Sequence, residues 1–133
     1  MNLEITNQNE GVSAMESPEK LWFRFAERDL RSAKKNYEIG EYHVSAFLSQ
    51  QAVEKALKAL HIKRSGEFPR IHDLTRLARM IDAPEEIIKL CAEITPAYTA
   101  TRYPDVAEDF SESEVSELIE KAEKVVEWVR QLI

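Results

Sequence analysis

The sequence predicts an all-α fold, an up-and-down antiparallel bundle of about five helices, on three observations. The 133 residues are 44% hydrophobic and 32% charged with only 3 Gly and 5 Pro, a balance that suits helices with one buried face better than a loop-rich β fold. Apolar residues recur at three- and four-residue steps in several segments, and none alternates as a strand does. Capping residues and breakers divide the chain into pieces of helical length joined by short loops.

Residues 1–16 are polar and aperiodic, which predicts a flexible arm ahead of one bundle domain over 17–133. Ser17-Pro18 pairs an N-cap hydroxyl with a proline whose missing N–H costs nothing, so helix one starts there. It runs to about Glu38 with Trp22, Ala26, Leu30, Ala33 and Tyr37 on one stripe, and Gly40 ends it. Helix two spans Tyr42 to about Arg64 with Tyr42, Ala46, Val53, Leu57 and Leu60 on its apolar face, closed by Gly66 and Pro69. A short third helix begins near His72 or Asp73, with Asp73 as a natural cap, and turns Leu74, Leu77, Ala78 and Ile81 inward. Pro84, followed by Glu85 and Glu86, opens a fourth through Ile87, Ile88, Cys91 and Ile94, continuing with a kink at Pro96. Pro104 breaks the pattern. Ser111 and Glu114 then form a capping box for a last helix that buries Val115, Leu118, Ala122, Val125 and Val129.

The single Cys91 has no partner for a disulfide and no second thiol for a zinc site, so the fold rests on packing. No apolar run reaches eighteen residues and the N-terminus has no basic start with an apolar stretch behind it. The expectation is a cytoplasmic protein with no membrane contact. A net charge of −6 argues against wholesale binding to nucleic acid, but the charge is uneven. Residues 54–79 hold seven Lys or Arg against three acids, and residues 105–127 hold nine acids against two lysines. A basic patch on an acidic protein fits a local anion such as a phosphate, although solvated helix faces explain most of these charges equally well.

Glycines at 11, 40 and 66 cannot build a phosphate-wrapping loop, and His43, His61 and His72 never fall into a helical ligand pair. No metal, cofactor or catalytic residue is assigned on this basis. Two places remain. On helix two, Gln51, Glu54, Lys55 and Lys58 share a polar face, with Glu54 and Lys58 spaced for an ion pair. The plain alternative is a solvent-facing ribbon stabilised by that pair by roughly 0.3–0.5 kcal/mol. The stretch YTATRYPD places Tyr98, Arg102, Tyr103 and Asp105 between helices. Arg102, the one cation between Lys89 and Lys121, either pairs structurally or binds a phosphate, while the tyrosines either stack on a base or pack the loop.

At these residues the sequence resembles the HEPN family (higher eukaryotes and prokaryotes nucleotide-binding), in its small stand-alone prokaryotic type. The stretch AERDLRSAKKNYEIGEYHVSAFLSQQAVEKALKAL, then HDL, then RYPD occur in that order across Ala26 to Asp105. The resemblance implies a helical bundle forming two-fold homodimers, often paired with a small nucleotidyltransferase. Many HEPN proteins are metal-independent ribonucleases with an arginine followed after four to six residues by a histidine. Here no histidine follows an arginine at that distance, and the window after Arg102 holds Ala107, Glu108 and Asp109. An acid beside a scissile phosphate repels it where an imidazole does not.

The resemblance and this departure from it imply a non-catalytic nucleotide-binding or interaction subunit. Gln51, Glu54, Lys58, His72, Asp73, Arg102 and Tyr103 would line its polar cleft, with Lys58 and Arg102 as surface cations on phosphate. The alternatives are an endoribonuclease of a toxin–antitoxin pair, acting on RNA with Arg102 and His72 brought together by folding, and a structural dimerisation module.

Overall fold

A computed structural model describes residues 16–97 and 110–133. Five helices follow in order: α1 (Pro18–Glu38), α2 (Tyr42–Ser65), α3 (Leu74–Met80), α4 (Glu85–Ile94) and α5 (Glu112–Arg130). Among the described residues there is no strand, so the all-α expectation holds. The arm expected at the N-terminus, except Glu16, and Tyr98, Arg102, Tyr103 and Asp105 lie outside the described residues.

Local chemistry sets most helix ends. Pro18 opens α1 after an extended Ser17, but the Ser17 hydroxyl makes no capping bond, so the proline alone marks this start. Gly66 closes α2 in the left-handed conformation (φ +77°), where its N–H reaches the Ile62 carbonyl at 2.8 Å. The Asp73 carboxylate accepts from the Arg76 N–H at 3.2 Å and caps α3. Pro84 stands at the N-cap of α4, with Glu85 and Glu86 in the first turn. This helix ends in a turn at Thr95, whose hydroxyl donates back to the Cys91 carbonyl at 2.8 Å, before helical geometry resumes at Pro96. The capping box of α5 is complete: the Glu114 N–H donates to Ser111 Oγ at 3.2 Å and the Ser111 N–H to Glu114 Oε1 at 2.9 Å.

Cross-helix bonds fix the directions of the three long helices. Ser45 meets Ala33 and Lys55 meets Asp29, so α1 and α2 run antiparallel. Lys34 pairs with Glu123 and Arg130 with Glu27, so α1 and α5 are antiparallel too. Helix α2 packs against α1, α3 and α5 and is the centre of the bundle. From Ala52 to Leu60 every residue but Lys55 is buried. The core collects Phe23 and Leu30 from α1, Leu57 and Leu60 from α2, Leu74 and Leu77 from α3, Cys91 and Ile94 from α4, and Val125 and Val129 from α5. Burial pushes the Cys91 thiol up to about 12, which keeps it neutral and unreactive at physiological pH.

Candidate functional site

A helix buried nearly all round must also bury its polar positions, and each of those needs a partner. Ser45 finds one in the Ala33 carbonyl at 2.7 Å. The Ser49 hydroxyl, also buried, has none among the described residues. One and two turns further on lies a polar cluster that the sequence places on a single face but at the wrong depth. Glu54 is 6% exposed and Lys58 3%, so the solvent-facing ribbon is not what forms, and Lys58 is not a surface cation. The reason is that α1, α3 and α5 together cover more of α2 than its apolar stripe alone requires.

Glu54 is the hub. Its Oε2 accepts from Lys58 Nζ at 2.9 Å, the ion pair its spacing predicts, and from His72 Nδ1 at 2.7 Å. Its Oε1 accepts from Gln50 Nε2 at 3.2 Å, and Gln50 Oε1 accepts from Gln51 Nε2 at 2.8 Å. Burial is the largest influence on the Glu54 carboxyl and pushes its pKa up. The hydrogen bonds from His72, Lys58 and Gln50, with the Lys58 charge, together outweigh it and hold the group below the ordinary glutamate value. A carboxylate so held is acceptor-only, so His72 donates through Nδ1–H and its ring orientation is fixed.

His72 reaches Glu54 because the chain turns at Gly66 and brings residues 67–73 back along α2. The same return places Phe68 beside Lys58, with Nζ 5.1 Å from the ring centroid. Phe68 also packs against Trp22 of α1 at 4.8 Å between centroids and lies 6.0 Å from the Arg70 guanidinium. Phe68 is 41% exposed and the His72 side chain 60% exposed, so the buried ionic hub opens to solvent through an imidazole and an aromatic ring.

Of the residues expected at the site, Gln51, Glu54, Lys58 and His72 are brought together. Asp73 adjoins them, but its carboxylate serves as the α3 cap. Arg102 and Tyr103 lie outside the described residues. Gln50, Phe68, Arg70 and Trp22 were not legible as members. The signal for two of them is the segment EFPRIHD, in which an aromatic and an arginine flank a proline just before His72. Among the described residues no group of three His, Cys, Asp or Glu could hold a metal, and no helix is long and apolar enough to cross a membrane.

A separate groove of about 840 Å³ runs between α4 and α5 over Leu90 and Trp128. It contains part of the acidic stretch, but Glu93 is paired with Lys121, Glu123 with Lys34 and Glu127 with Arg130. Most of its charge is thus answered within the fold, and the ionic chemistry lies at Glu54.

The HEPN domain profile matches residues 19–132, all five helices but for Pro18. The chain belongs to the HEPN family. Solved structures with the same fold agree with this assignment. TT1696 from Thermus thermophilus is 27% identical with a TM-score of 0.81, over 89% of this chain and 100% of its own. ST0689, an archaeal HEPN homologue, is 31% identical with a TM-score of 0.74, over 88% and 98%. The HEPN domain protein tm0613 from Thermotoga maritima is 27% identical with a TM-score of 0.65, over 84% and 96%. No curated protein matches the chain.

In this HEPN domain the hub makes stability depend on pH. Because the Glu54 pKa is depressed on folding, its contribution is present above the ordinary glutamate value of about 4.3 and is lost as pH falls below it. Glu54→Gln is expected to be less stable than wild type in urea at pH 7, with the gap narrowing as pH falls through that range. Lys58→Ala, at pH 7, is expected to cost near the low end of roughly 3–5 kcal/mol, since His72 and Gln50 still hold the stranded carboxylate.

Proposed function

We propose that this HEPN protein is a nucleotide-binding subunit that acts as a homodimer beside a small nucleotidyltransferase, with its site at the opening over Glu54. The observation that carries the reading is the cluster of Phe68, Arg70 and His72 at the mouth of a buried ion pair. An exposed ring offers a base a face to stack on, a guanidinium offers a phosphate paired donors, and a fixed imidazole offers a directed hydrogen bond. Lys58, held by Glu54 inside, supports Phe68 from beneath and is assigned a positioning role. Gln51 extends the hydrogen-bonded row, and Arg102 and Tyr103 complete the site in the HEPN resemblance.

Titration of mant-ATP against wild type and Arg70→Ala tests the site. The variant is expected to bind about tenfold or more weakly, the loss of a charge-assisted contact, while its folding stability stays within about 0.5 kcal/mol because Arg70 is exposed. Equal affinities would remove Arg70, and with it the reading, from this mouth.

Dimerisation has its own support in α2. Val44, Phe47 and Leu48 fall at helical spacing and are each at least partly exposed, next to the exposed Ile39. Light scattering at micromolar concentration is expected to give twice the 15.4 kDa chain mass, and Val44→Glu with Leu48→Glu to return it to one. A monomeric wild type contradicts the dimer. The partner enzyme rests on the resemblance alone, and co-expression of the nucleotidyltransferase encoded nearest the gene, followed by co-elution, is its test.

One observation favours a second reading. A carboxylate that orients an exposed imidazole is the arrangement of a general base and its orienter, so the Glu54–His72 pair suits a ribonuclease in which His72 moves the proton. Under the first reading, purified protein leaves single-stranded RNA intact. Cleavage that disappears in His72→Ala would instead establish the second.

A further inference from the structure

Helix α1 carries five of its six cations on one side, the sixth, Lys34, being paired with Glu123 of α5. Lys20, Arg24, Arg28, Arg31 and Lys35 follow at steps of four, four, three and four, which puts them on one face. That face lies away from the core stripe of Phe23, Ala26, Leu30 and Ala33, and all five side chains reach solvent at least in part. Two of the three acids near it are paired. Glu27, at its flank, is bound by Arg130, Glu16 is bound by Arg24 at 3.1 Å, and Glu38 stands at the C-terminal end of the helix. Lys20, Arg28, Arg31 and Lys35 form no ion pair among the described residues. The Arg28 guanidinium lies over the Phe25 ring, 4.2 Å from its centroid, and that of Arg24 lies at 5.4 Å, so a half-buried ring supports the middle of the row.

We propose that this face of α1 is a track for the phosphate backbone of a single nucleic-acid strand. Four residues of helix advance about 6 Å, a step comparable with that between neighbouring phosphates, and the whole row extends over about 22 Å. A row of cations on a protein of net charge −6 is a local anion site, unlike a diffuse basic surface. The row does not suit contact with a second copy through the same face, because a two-fold axis there would set like charges against each other. The track extends the nucleotide reading from one residue of a strand to several, but it stands on residues that reading does not use.

The test is the salt dependence of binding to fluorescein-labelled dodecauridylate, read by anisotropy. Four phosphate contacts give a slope of log affinity on log salt of about −2.8, a loss of about fiftyfold between 50 and 200 mM. Arg28→Gln with Arg31→Gln is expected to reduce the slope by about 1.4, and Lys20→Gln with Lys35→Gln by the same amount, with circular dichroism unchanged in both. Arg70→Ala, which probes the mouth over Glu54, should leave those differences in place whether or not mant-ATP binds there. Failure at one surface is therefore separable from failure at the other. The proposal is overturned if wild type does not bind the oligonucleotide at low salt, or if neither double variant changes the slope. It is also overturned if a poly-glutamate peptide binds the row more tightly than the oligonucleotide, which would assign the face to an acidic protein.

Discussion

A carboxylate near the middle of a helix that three others enclose has to be answered by charge and by donors, and Glu54 sets that demand for this fold. Leaving one charge of such a pair unanswered costs several kcal/mol, a large share of the stability of a domain this size. Lys58 answers from the same helix, so half of the solution is local and forms with α2 itself. His72 answers from the far end of a return segment, so the other half forms only when residues 67–73 come back along α2. The ionic demand therefore fixes where the loop lies, and the loop in turn sets Phe68 and Arg70 at the surface. The opening proposed as the site is a by-product of satisfying a buried charge.

The helix framework was legible because its signals are local. Pro18, Asp73 and the Ser111–Glu114 box act within one turn of themselves, and the structure puts helix starts at each. Ser17 shows the limit: the residue type is right, yet its hydroxyl makes no capping bond. Spacing also grouped Gln51, Glu54 and Lys58 correctly, since residues three and four apart share a face whatever surrounds them. Depth was not legible, because how far a face is covered depends on α1, α3 and α5, which spacing within α2 does not encode. Gln50, fully buried beside the expected Gln51, was missed for that reason.

Charge sums misled in a related way. Of the cations between 54 and 79, Lys58 is internal, Lys55 is tied to Asp29, Lys63 bonds the carbonyls of Leu132 and Ile133, and Arg64 bonds that of Ile81. The stretch is less basic to an approaching ligand than its composition. Helix α1 errs in the other direction, since Glu19, Glu27, Asp29 and Glu38 dilute its total while its outer face stays cationic. A sum over sequence averages around the helix axis, whereas a ligand meets one side of it.

The ion pair inside α2 also bears on how the chain can change over generations. Each of Glu54 and Lys58 is the other's reason for being ionic in a dry place, and His72 is committed to the same oxygen as Lys58. A first substitution at Glu54 strands the Lys58 charge, and one at Lys58 leaves the carboxylate to His72 and Gln50 alone, whereas replacing the pair together by apolar residues can leave stability intact. The apolar replacement needs both changes together, with a less stable chain at the step between them. Lineages that make both lose the anchor for residues 67–73, and with it the arrangement of everything that the loop displays.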